Sequence, residues 1–201
     1  TGFIMGLVLT MQTRPILVMF GAQSIIPSMV SISTFREIGP VITGLICAGK
    51  VSSGIGAEIG AMKVTEQIDA MEVSGTKPLS YVVATRVMAS TIMIPLLVLF
   101  SNAFSLFGSF LAINIYEPMT FRLYLFNAFD MLDFIDVIPP TIKSVFFGFF
   151  IGLIGSFKGY QAGMGTESVG AAANAAVVTA SLAIFILDLI AVMITNTIAA
   201  Y

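Results

Sequence analysis

The chain has no histidine and no tryptophan, and Cys47 is its single cysteine. These absences exclude a zinc site built on imidazole and thiolate, and an intramolecular disulfide framework. Cys47 lies inside an apolar run, where a thiol serves as a small packing residue. Charge is scarce as well. Charged residues make up 10% of the chain, whereas an average soluble domain carries about 25%. The formal net charge of −2 leaves no basic patch to neutralise phosphates, which argues against nucleic acid as a partner. No cofactor-binding constellation is apparent, and no metal or cofactor is expected.

What is abundant is apolar. Hydrophobic residues account for 57% of the sequence, and the mean hydropathy is +1.00. A chain of this kind presents sticky surface to water, so its solvent is a bilayer. Apolar runs extend over residues 25–56, 81–115, 137–157 and 171–200. The opening run, "TGFIMGLVLTM", is short against the roughly 20 residues needed to cross the hydrocarbon core. It reads as the second half of a membrane helix whose beginning is missing. The expectation is therefore an all-α, polytopic integral membrane protein with about five transmembrane helices, the first truncated, forming one transmembrane domain over residues 1–201.

Orientation follows from the basic residues near the span ends. Lys50, Lys63, Lys77 and Arg86 surround the spacer 56–80, and Lys158 precedes the last span. The spacer 114–136 holds only Arg122 against Glu117, Asp130, Asp133 and Asp136. The first spacer is thus expected in the cytoplasm and the second outside. Tyr81, Tyr116, Tyr160 and Tyr201 fall near span ends, where amphipathic rings favour the interface.

Small residues recur at helical spacing: Gly44, Ala48, Ser52, Gly56 and Gly60, then Gly148, Gly152 and Ser156. Such ladders let helix backbones approach in lipid, either within one chain or along a homodimer seam. Pro40 after Gly39 is expected to kink the second span. The segment "GLICAGKV", residues 44–51, imitates a phosphate-binding loop. It has Val51 where magnesium needs Ser or Thr, and no strand precedes it, so nucleotide binding is rejected.

Ionisable residues within spans are costly unless paired or solvated. Arg36 and Glu37 stand immediately before Gly39-Pro40, Lys143 opens the fourth span, and Asp188 lies deep in "SLAIFILDLIAVMI". Lys143 can snorkel outward, whereas Asp188 cannot, so a buried pair of Asp188 with Lys143 or Arg36 is one reading. The other is a water-accessible cavity that meets a charged substrate group.

Residues 56–75, "GAEIGAMKVTEQIDAMEVSG", read as an amphipathic helix of about five turns. At 100° per residue, Ala61, Val64, Ile68, Met71 and Gly75 cluster on one side, with Lys63, Glu66, Asp69 and Glu72 on the other arc. Membrane-surface helices favour Lys and Arg, whereas this one is net acidic, which points to a soluble protein partner.

The motifs "REIGP" (36–40), "AEIGAMKVTEQIDAME" (57–72), Pro78 with Arg86, "IKSVFFG" (142–148) and Leu187-Asp188 together resemble the MlaE permease family, the membrane subunits of phospholipid-transporting ABC systems. The resemblance runs through most of the chain. It implies a non-catalytic permease of the inner membrane that forms a homodimer on two cytoplasmic P-loop ATPases of the MlaF type. It also implies a hexameric MCE-domain (MlaD-like) partner outside and, in some systems, a STAS-domain (MlaB-like) protein on the ATPase. The phospholipid would sit in an outward-open cavity between the two permease copies. Matched by position, Arg36, Glu37, Lys143 and Asp188 fall at polar cavity positions, and Leu9, Ile16, Leu17, Phe20 and Ile38 at acyl-contacting ones. The segment 56–80 corresponds to the coupling segment, with Glu58, Met62, Val64, Glu66, Ile68, Asp69, Met71 and Glu72 facing the partner. Relative to the family pattern, an N-terminal amphipathic segment and the first half of helix one are missing.

Two other classes compete. An ion-coupled secondary carrier would use Glu37 and Asp188 as proton or sodium sites, but inverted repeats are its signature and "REIGP" has no second copy. A membrane enzyme lacks any plausible nucleophile–base pair.

Overall fold

A computed structural model describes residues 1–199, so the expectations for residue 200 and Tyr201 lie outside it. No strand occurs among the described residues. The helices are α1 (Gly2–Met19), α2 (Gln23–Val64), α3 (Gln67–Val73), α4 (Leu79–Asn114), α5 (Phe121–Asp130), α6 (Phe134–Tyr160) and α7 (Thr166–Ala199). Five of them, α1, α2, α4, α6 and α7, are long and apolar enough to cross a membrane.

Long apolar helices form here because lipid offers the backbone no hydrogen-bonding partner, so each span must satisfy its own amides. Regularity is nevertheless broken at three places by wide π-helical turns: Thr34–Ile38 and Ala48–Ser52 within α2, and Leu79–Val83 at the start of α4. The irregularity expected at Pro40 falls one turn earlier. Pro40 has no N–H to donate, and the chain enters it through a turn closed by Gly39 N–H donating to the Thr34 carbonyl. The nucleotide-loop lookalike is occupied by the second of these turns, inside a continuous helix.

The chain divides into two compact units. The first comprises Thr1–Thr43, Leu96–Ile142 and the described residues from Thr195 on. Here α1 packs on α4 through small residues: Gly2 and Gly6 lie against the backbone of Ser101 and Ser105, and Gly108 against the Phe3 carbonyl. The Thr10 hydroxyl, one turn after Gly6, donates to the Gly6 carbonyl (2.8 Å) and sits 2.7 Å from Ser109 Oγ. An apolar cluster of Ile26, Val30, Leu106, Ile113, Tyr124 and Ala128 fills the rest.

Tyr124 and Ala128 come from α5, which lies in the 114–136 spacer that the sequence marks only as a polar connection. The helix forms because Phe121, Tyr124, Leu125 and Ala128 share one face at i, i+3, i+4 and i+7. That face covers α2, where Ser28 Oγ donates to the Asn127 carbonyl at 2.5 Å. Burial pushes the Tyr124 phenol up to about 12, so it stays neutral at any physiological pH.

The second unit comprises Gly44–Pro95 and Lys143–Ile194. Both small-residue ladders are spent inside it. Gly44 rests on Phe147 and Ile184, Gly56 on Ala176 and the carbonyls of Gly155 and Ala172, and Gly60 on Ala162 and Val169. Ala48 and Ser52 between them are fully buried. On α6, Gly148 and Gly152 face Ser90 and its neighbours on α4. The apolar core of the unit is Cys47, Ala48, Ile94, Phe147, Ile151, Ala180 and Ile184, so Cys47 has the packing role its surroundings suggest.

A Cβ on Gly148 would stand 2.5 Å from the Ser90 carbonyl oxygen, whereas one on Gly54 meets nothing within 4 Å. Gly148→Ala should therefore cost about 1–3 kcal/mol through overpacking. Gly54→Ala should gain up to about 1 kcal/mol of helix propensity. Thermal denaturation of the two purified variants in detergent should show Tm shifts of opposite sign.

Candidate functional site

Three groups of polar side chains stand out from the apolar background. The first surrounds the wide turn Thr34–Ile38. Arg36 NH1 lies 3.8 Å from an Asp136 carboxylate oxygen, and Arg36 NH2 donates to Asn196 Oδ1 at 3.4 Å. Asp136 is almost wholly buried, while the Arg36 side chain retains 37% of its surface. Glu37 and Ile38, next in the same turn, are each partly buried. Phe35 packs edge-on against Phe129 of α5, with ring centroids 6.4 Å apart, which holds the turn on its other side.

The second group is the pair Lys143–Asp188, Nζ to Oδ1 2.8 Å. Lys143 is buried, its side chain keeping 6% of its surface, and so does not snorkel. Of the four cavity positions, Arg36 meets Asp136 in the first unit, and Lys143 meets Asp188 in the second. Such pairing makes charge tolerable within an apolar span, since each group alone would cost several kcal/mol, roughly 2.5–3.5 on insertion scales.

The third group surrounds α3. The stretch 56–75 is not one helix. α2 continues to Val64, the chain turns at Thr65 and Glu66, and α3 follows as a separate seven-residue helix. Glu66 takes the left-handed conformation, φ 58°, which ends the longer helix and re-aims the chain. The break redistributes the amphipathic face. Ile68 is fully buried against Ile55, Ile59 and Val82, with Met62, Met71 and Tyr160 packed beside it, so the apolar side of α3 holds the helix down. Glu66, Asp69, Glu72 and Val73 remain exposed, and Val64 is partly buried.

Ion pairs complete this end. Arg86 grips Glu58 with two bonds, Nε to Oε2 3.2 Å and NH2 to Oε1 2.6 Å, and its NH1 donates to the Val82 carbonyl at 2.8 Å. Lys63 Nζ donates to Asp69 Oδ1 at 2.7 Å, and the Tyr160 hydroxyl donates to Glu72 Oε1 at 3.2 Å. Two motif residues 28 positions apart, Glu58 and Arg86, are therefore one bidentate contact.

Among the apolar positions, Leu9 and Leu17 pack against the core of the first unit, while Ile16 and Phe20 are exposed at the far end of α1. Sequence reasoning placed Asp136 in a loop and overlooked Asn196, Arg86 and Tyr160 as partners. Asp136 was missed because α6 begins at Phe134, ahead of the purely apolar run. For the others no local pattern exists, since their partners are 160, 28 and 88 residues away.

Five apolar spans, paired charges inside them and an acidic helix outside the longest runs define a multi-pass helical membrane protein of the permease kind, with no strand-based domain among the described residues. A family profile described as Permease MlaE matches residues 1–194, and the chain belongs to the MlaE permease family. It is 42% identical over 187 residues to a probable ABC transporter permease protein of Rickettsia typhi, covering 92% of this chain and 72% of that protein. It is 36% identical over 185 residues to a probable ABC transporter permease protein of Synechocystis, covering 92% and 70%. The intermembrane phospholipid transport system permease protein MlaE of Haemophilus influenzae is 33% identical over 193 residues, covering 94% and 73%.

Removing Asp188 takes from the buried Lys143 its 2.8 Å carboxylate contact. Asp188→Leu should destabilise by about 3–5 kcal/mol, and the double variant Lys143→Met/Asp188→Leu should recover most of that loss. A double-mutant cycle on the thermal midpoint in detergent checks this; additive losses would contradict it.

Proposed function

We propose that the chain is the membrane-spanning, non-catalytic permease subunit of an ATP-driven transporter that moves phospholipid between the inner and outer membranes. The observation that carries this reading is Arg36. It is a guanidinium within a span, held by Asp136 at 3.8 Å and by Asn196 at 3.4 Å and still 37% exposed, and so able to take an anionic group. A guanidinium matches phosphate in two-pronged fashion. The apolar remainder of the spans suits acyl chains, and the name of the H. influenzae relative carries the same substrate class.

In this reading the lipid lies in a cavity at a homodimer interface. Arg36 and Glu37 address the headgroup, and Leu9, Ile16, Leu17, Phe20 and Ile38 the tails. The segment 56–80 faces the cytoplasm of an inner-membrane protein and couples it to a dimer of P-loop ATPases of the MlaF type. The acidic arc of α3, Glu66, Asp69 and Glu72 with Glu58 nearby, makes the main contact, while Met62, Ile68 and Met71 keep the helix seated. The outward spacer 114–136 meets an MCE-domain hexamer of the MlaD type, and a STAS-domain protein of the MlaB type binds the ATPase. Movement of lipid follows from ATPase-driven exchange between permease states of different lipid affinity. The alternative, an ion-coupled carrier using Glu37 and Asp188, is disfavoured because Asp188 is committed to Lys143.

Two measurements test this. The permease purified from its native membrane should bring down a P-loop ATPase, and Asp69→Lys with Glu72→Lys should weaken that binding by about tenfold or more, the loss of close charge pairs at an interface. Mass spectrometry of the complex should find bound phospholipid, depleted several-fold in Arg36→Ala. Ion-gradient-driven uptake without any ATPase would favour the carrier instead.

A further inference from the structure

We propose that Asn102 and Ser105 of α4 are positioning residues that clamp the wide turn Thr34–Ile38 at both ends and so set the direction of Arg36 and Glu37. This inference rests on the reading of Arg36 and Glu37 as substrate-contacting groups. A π-helical turn carries one residue more than the α-turn it replaces. Reverting it to α geometry rotates side chains on one side of it by about 100° relative to those on the other. The aim of Arg36 and Glu37 therefore depends on the turn being kept.

Both ends of the turn are held by one face of α4. At the first end, Thr34 is buried and its Oγ1 lies 3.4 Å from Ser105 Oγ. At the other end, the Asn102 side-chain oxygen occupies the space in which a Cβ on Gly39 would stand. Asn102 and Ser105 are three residues apart and share a face of their helix, and both are almost wholly buried. Between the two ends, the Gly39 N–H closes the turn onto the Thr34 carbonyl.

The chemistry of Asn102 points the same way. A carboxamide buried in a span is costly unless partnered. Asn102 Oδ1 is buried with no hydrogen-bond donor and lies against the Cα of Gly39. What the side chain does here is fill the space beside Gly39 that any side chain at position 39 would need.

The test uses the complete complex. Asn102→Ala and the milder Ser105→Ala should speed amide hydrogen exchange in residues 34–39 by about tenfold, since local protection reports local opening. They should also lower bound phospholipid several-fold while Arg36 and Glu37 are untouched. Ser109→Ala, on the same helix but facing Thr10, should change neither readout. Gly39→Ala should lose lipid loading, and Gly39→Ala/Asn102→Ala should regain part of it, because the second change removes the atoms the new methyl meets. Strict additivity of the two changes, or unaltered exchange in both clamp variants, overturns the proposal. Unchanged lipid loading in the clamp variants while Arg36→Ala abolishes it also overturns the positioning role. Unchanged loading in all of them, Arg36→Ala included, overturns the underlying reading of the site as well.

Discussion

Helices inside a bilayer have no hydrophobic reason to meet, because lipid tails are as apolar as leucine. Close van der Waals contact between backbones is what remains, and the architecture depends on it. In each unit the contacts between spans run through glycine, alanine and serine: Gly2 and Gly6 against Ser101 and Ser105 in one, Gly44, Gly56 and Gly60 against α6 and α7 in the other. Large side chains are correspondingly turned outward, as the exposed Phe, Leu and Ile residues of α4, α6 and α7 show. The ladder motif is therefore a tertiary feature of this chain.

The same solvent explains how charge is handled. In water an ion pair such as Lys143–Asp188 would contribute little. In a span, neither partner is tolerable alone, and the pair fixes how α6 and α7 register in the second unit. Arg36 is held more loosely, by a 3.8 Å contact to Asp136 and a 3.4 Å bond to Asn196. Arg86 with Glu58 and Lys63 with Asp69 hold one end of the second unit, where their side chains are only partly covered.

The spans were legible because hydropathy over about 20 residues is a collective signal that no single residue can spoil. Their ends were less so: α6 starts at Phe134 and thereby takes in Asp136, a buried acid that lies 3.8 Å from Arg36. α5 was hidden by the charges that surround its short apolar face, and the split between α2 and α3 by an amphipathic pattern that remains in phase across the break. The wide turns left no trace in composition. The first, Thr34–Ile38, stands where Pro40 interrupts donation and where Asn102 of α4 fills the space beside Gly39, a neighbour that the turn's own residues do not reveal. Of the charged residues singled out, Lys143 and Asp188 meet at 2.8 Å, as one of the open readings of Asp188 had it.

Consider finally the burial of Ile68. A short helix joined to its neighbours only by flexible connections would absorb a push by tilting, and the work would be lost in the loop. With Ile68 sunk between Ile55, Ile59 and Val82, and with Lys63 and Tyr160 bound to its acidic side, α3 has little freedom to yield. A force applied at its outer surface is passed to α2, α4 and the end of α6 together, as a key turns a lock only when its bit has no play. The seven residues of α3 are too few to be stable alone, and for that reason they cannot move alone either.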